Sequence, residues 1–173
     1  IAEGPMGSVV IENGAQLRSA EGGRIMVLAP VIENRGLIET PEGQAILAAS
    51  QDKVWLKAAS KDDNLRGLLV EVGTGGDVSN LGEVIAKRGN ISLMGFAVNQ
   101  EGLLSATTAV TSNGSIKLVA QDKTTMKSSG IGTGLEVGSV SMVRDGKAAQ
   151  VTFGVNSRTE VLPDEDDTST AVD

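Results

Sequence analysis

Apolar and polar residues alternate along most of this chain, in short runs set between glycines. The runs 24–28, 90–94 and 115–119 carry the period-two signature of strands with one buried face. Each is preceded by the same series: an apolar residue, one further residue, an Asn or Gln, a short turn, a Gly and an apolar stretch. The first copy holds Ile11, Asn13, Gly14 and Leu17, then Gly23 and its strand. The second holds Ile32, Asn34, Gly36, Leu37 and Ile38, then Gly43 and the strand 45–47. A later copy holds Val78, Asn80, Gly82, Val84 and Ile85 before Gly89, and another holds Val98, Gln100, Gly102, Leu103 and Leu104 before Gly114.

Asn13 and Asn34 stand 21 positions apart, and Asn80 and Gln100 stand 20 apart. The 46 positions from Asn34 to Asn80 fit two turns of 23, with strands at 53–56 and 68–72 and a degenerate corner at 64–67. A unit this short cannot bury its apolar face alone. Stacking units at about 4.8 Å pairs every strand with its neighbours and closes an aliphatic column. The pattern therefore predicts an all-β parallel β-solenoid of 20–23 residues per rung and about seven rungs. Ile25, Ile46, Ile91 and Ile116 are expected to point into the column, and the corner Asn residues to form a ladder. Residues 1–160 form this segment, regular over 7–122 and less so over 123–160, with 144–147 as a hairpin or corner. Residues 161–173 read as an acidic exposed loop or linker. A helix competes only at 43–59, where alanines gather, and no leucine-rich spacing recurs.

Composition narrows the function. Aromatics are limited to Trp55, Phe96 and Phe153, whereas ligand pockets are usually walled by aromatic side chains. A net charge of -7 argues against nucleic acid and anionic membrane surfaces. No His and no Cys are present, which removes disulfides, thiol nucleophiles and Ser-His-Asp triads. The chain begins at Ile1 and reads as a piece of something longer.

No residue is assigned to catalysis, a cofactor or a metal. The glycine-rich run at Gly73, Gly75, Gly76 and Asp77 partly matches a calcium nonapeptide, but one copy cannot complete a coordination sphere, and it reads as a turn. Gly130, Gly132 and Gly134 lack the strand, helix and lysine of a phosphate cradle. Asp62 and Asp63, and the acidic run Asp164, Glu165, Asp166 and Asp167, read as solvated loops rather than a carboxylate pair for glycoside cleavage. Asn90 and Asn113 match the glycan acceptor pattern but stand where the repeat wants a corner residue. Trp55 reads as a strand residue in the interior or on a flap, ahead of a sugar platform.

With these repeats in place, the chain resembles the filamentous haemagglutinin family of exoproteins. The resemblance lies in 23–30, 31–36, 78–82, 98–106 and 113–120, spans roughly 7–122, and rests on their order and period. It implies a right-handed parallel β-helix in the shaft of a secreted bacterial adhesin. It also implies export by two-partner secretion through an outer-membrane transporter, acting on the parent protein. The partners expected are that transporter, a host-cell surface or glycan receptor, and a second copy by end-to-end association; no nucleic acid is expected. The family's Asn-Pro-Asn motifs are not present. The alternatives are a β-helical polysaccharide lyase or hydrolase, and the shaft of a two-partner-secreted cytolysin.

Overall fold

The computed structural model describes residues 7–58, 67–110, 112–128, 140–145 and 148–166. Strands follow one another in a fixed cycle. β1 (Ser8–Ile11), β2 (Gln16–Arg18) and β3 (Arg24–Ala29) form a first level. β4 (Val31–Asn34), β5 (Leu37–Glu39) and β6 (Gln44–Ala49) form a second. The chain then leaves as a hairpin of β7 (Val54–Ala58) and β8 (Leu68–Val72). β9 (Asp77–Asn80), β10 (Glu83–Ala86) and β11 (Asn90–Gly95) make the third level. β12 (Ala97–Gln100), β13 (Leu103–Thr108) and β14 (Ser115–Ala120) make the fourth. A second hairpin, β15 (Lys123–Ser128) and β16 (Val140–Asp145), precedes β17 (Gln150–Phe153) and β18 (Arg158–Pro163) of the fifth.

Like strands pair in parallel from level to level, giving three sheets. Sheet A runs β1-β4-β9-β12-β17, sheet B β2-β5-β10-β13-β18, and sheet C β3-β6-β11-β14. No helix is present among the described residues, and 43–59 holds β6 and β7. One aliphatic core joins the three inner faces: Ile32, Val78 and Val98 from A, Ile38, Val84 and Leu104 from B, Leu47, Ile91 and Leu93 from C. The protein is thus all-β with parallel sheets, an arrangement compatible with a β-solenoid.

Two glycine columns allow the corners to stack this closely. A Cβ on Gly89 would lie 2.5 Å from the Gly43 carbonyl oxygen, and one on Gly82 would collide with the Gly36 carbonyl. Elsewhere the corner needs a left-handed residue: Glu42 and Arg88 have φ of 52° and 51°, just before Gly43 and Gly89, and Gly22 has 72° before Gly23.

The expected middle turn is not a level of the stack. Asn34 pairs directly with Asn80, and the intervening chain forms the antiparallel β7–β8 hairpin. The described residues therefore make five levels rather than about seven, roughly 20 Å of stack at the usual strand spacing. Ile46 also departs from expectation. The column runs Ile25, Ala45, Ile91, Ile116, while Ile46 pairs with Met26 and Ser92 on the opposite face. It stays buried because β8 covers that face, packing Val70 and Val72 against Ile46, Ala48 and Met94. The hairpin or corner expected at 144–147 follows the end of β16, at Asp145, which pairs back on β15; Gly146 and Lys147 lie outside the described residues. Residues 161–163 belong to β18 rather than to a loop, and Asp164 is buried. The corner at 64–66 lies outside the described residues.

Candidate interaction surface

Among the described residues, polar side chains tie the structure together both inside the stack and outside it. Inside, the fourth residue of β4, β9 and β12 in sheet A faces the core at the A–B corner. Asn34 Nδ2 donates to Asn80 Oδ1 at 2.8 Å, and Asn80 Nδ2 donates to Gln100 Oε1 at 2.8 Å. Gln100 Nε2 ends the series on the carbonyls of Gly102 and Arg158. All three side chains are fully buried, so each amide must find its partners in the protein. The ladder is flanked by Ile11 at the first level and Phe153 at the fifth. Asn13, expected to join it, lies two residues beyond Ile11 and is exposed. The signal in the sequence was the recurring Asn; its register was hidden by the 23-residue first turn.

Outside, both hairpins leave at the corner after sheet C and lie against each other. Thr74 bridges Lys123, Thr124 N donates to the Gly73 carbonyl at 2.7 Å, and Gln121 Nε2 donates to the Val72 carbonyl at 2.8 Å. Thr124 Oγ1 donates to the buried Glu71 carboxylate at 3.1 Å. The loop end of the first hairpin is tied to the stack by Gln44, whose amide exchanges hydrogen bonds with Leu68 N and O at 2.7 and 2.9 Å. Its other end is tied by Asp52. The Asp52 carboxylate accepts from Thr74 N, Lys53 N, Thr74 Oγ1 and Ser50 Oγ. Partial burial pushes that carboxyl up, but the hydrogen bonds from Thr74, Lys53 and Ser50 outweigh it and hold it below its usual value.

The residues singled out in the sequence are scattered. Gly73, Gly75 and Gly76 bring the chain from β8 back to β9. A Cβ on Gly75 would strike the Gln121 carbonyl, and one on Gly76 the Pro30 carbonyl, so close backbone approach accounts for both. Asp77 opens β9. Trp55 stands opposite Glu71, on the hairpin face turned away from Ile46. Asn90 opens β11 and accepts from Ser115 Oγ at 2.7 Å, while Asn113 is exposed before Gly114. Asp164 pairs with Arg88 at 2.8 Å. Asp62, Asp63, Gly130–Gly134 and Asp167 lie outside the described residues. No group of three or more His, Cys, Asp or Glu able to hold a metal occurs among the described residues. A shallow groove lies over the glycine corner, floored by Gly36, Gly82 and Gly102 and edged by Arg35 and Leu81.

Comparison with protein-family models, curated proteins and solved structures found no match for this chain.

Proposed function

We propose that this chain is a non-catalytic structural segment of a large secreted bacterial adhesin of the filamentous haemagglutinin type, a right-handed parallel β-helix serving as part of a rod-like shaft. The observation that carries the reading is the continuous parallel pairing of three sheets through successive levels around one aliphatic core. Such an arrangement extends indefinitely along one axis, which suits a spacer. Right-handedness follows the strong preference of crossovers between parallel strands. The polar side chains support the same reading, since the ladder uses them to join levels and the ties use them to hold the hairpin on the stack. Under this proposal the parent protein passes an outer-membrane transporter and reaches the cell surface. A host-cell or glycan receptor is engaged elsewhere on it, and end-to-end association of copies extends the rod.

The test combines structure and activity on the whole chain. A crystal structure should show a right-handed coil of the three sheets, and incubation with acidic polysaccharides should release no reducing ends. A left-handed coil or a closed two-sheet sandwich would sink the shaft reading. Steady release of reducing ends would favour a lyase or hydrolase instead.

A further inference from the structure

The corner between sheets B and C changes at the fourth level. Nine positions separate Ala106 from Ser115, where four separate Ala86 from Asn90 at the same register. Across this longer corner the fifth level reaches back to the third. Asp164, just after β18, donates its backbone N–H to the Thr108 carbonyl at 2.8 Å, and its Oδ2 accepts from Arg88 Nη1 at 2.8 Å. The Asp164 side chain is only 2% exposed. Arg88 is held for this contact. Its backbone N donates to Thr107 Oγ1 at 2.9 Å, and its other terminal nitrogen, Nη2, meets Glu42 Oε1 of the second level at 2.6 Å. Lys87 Nζ lies 3.8 Å from Asp164 and pairs with Asp166. Three levels are therefore joined through one guanidinium.

Apart from the Arg88–Asp164 pair, β18 is held by its ladder to β13 and by the hydrogen bond from Gln100 Nε2 to the Arg158 carbonyl. Among the described residues it pairs along one edge only, with β13. Val161 and Leu162 are 44% and 43% exposed, whereas Leu104 and Ala106 of β13 are fully buried. A strand with one paired edge and few buried apolar groups opens at low cost. We infer that the Arg88–Asp164 pair is an ionic latch that fixes β18 to the stack, and that its release frees the strand and bares the edge of β13. The physical reason is that a buried carboxylate tolerates its site only while closely paired: Lys87 stands 3.8 Å away and is engaged by Asp166, so without Arg88 the easiest escape of Asp164 is outward into water.

Hydrogen exchange on the full chain tests this. In Arg88→Met the amides of β18 should exchange at least tenfold faster than in the parent, while those of β10 keep their rates. In the double variant R88M/D164L, with no charge left to expel, β18 should return close to the parent rate. Unchanged β18 exchange in Arg88→Met would overturn the latch. So would equal acceleration in β10 and β18, which marks a general loss of stability, or a double variant that exchanges as fast as the single one.

Discussion

Glycine does two different jobs at these corners, and the two can be separated by substitution. Gly14 has φ of 83° and open space where a side chain would go, so only backbone conformation restricts it. Asn adopts that conformation at small cost, and Gly14→Asn should change stability by no more than about 0.5 kcal/mol. Gly89 needs no special φ but has the Gly43 carbonyl where a Cβ would stand. Gly89→Ala should cost about 1–3 kcal/mol by overpacking. Urea denaturation of both variants checks the contrast, and equal effects would refute it. The amide ladder is the other feature set by single residues. Asn80→Ala strands Gln100 Oε1 and weakens the hold on Asn34 Nδ2, both buried, and should cost about 2–3 kcal/mol. Asn13→Ala, by contrast, should leave the melting temperature nearly unchanged, since Asn13 is exposed outside the ladder.

At the scale of elements, the first hairpin is held by polar ties whose strength depends on pH. Asp52 has its folded pKa below its unfolded value, so its contribution is complete above that unfolded value and fades as pH falls through the folded one. Asp52→Asn should therefore lower stability near neutral pH by no more than about 1 kcal/mol, a modest figure because the carboxylate is largely exposed. The gap should narrow below about pH 4, and a gap that persists undiminished at pH 3 would remove the carboxylate from the account. The cover that the hairpin provides can be probed at Ile46. Ile46→Ala should cost about 2–5 kcal/mol and speed amide exchange in β8 more than in β10. Exchange rising equally in both strands would place Ile46 in the central column after all.

These elements also show which parts of the fold could be read from sequence. The alternation at 24–28, 90–94 and 115–119 became β3, β11 and β14 because each buries alternate residues on a common core. The pattern failed at β6, where every residue is buried: the core takes one face and the hairpin the other, so no polar face marks the parity. With alternation lost, Ile46 looked equivalent to Ile91 although Ala45 holds that place. The hairpins were missed for a related reason. Period two announces a strand but not its partner, and a separation of 46 between Asn34 and Asn80 divides evenly into two turns of plausible length. Asp164 was read as solvated because its partner, Arg88, lies 76 positions away.

On the scale of the whole molecule, all three sheets run their hydrogen bonds in one direction, from level to level. A pull applied along that direction would load each interface in tension, with the bonds of an interface sharing the force. The first four levels are joined through sheets A, B and C, but among the described residues the fifth is joined to the fourth through A and B alone. Under stretching, the molecule should therefore part first beneath β17 and β18, below the force that separates the inner levels. Arg88 reaches across that plane from two levels down, so it would act there as a tether of side-chain length, paying out before it snaps.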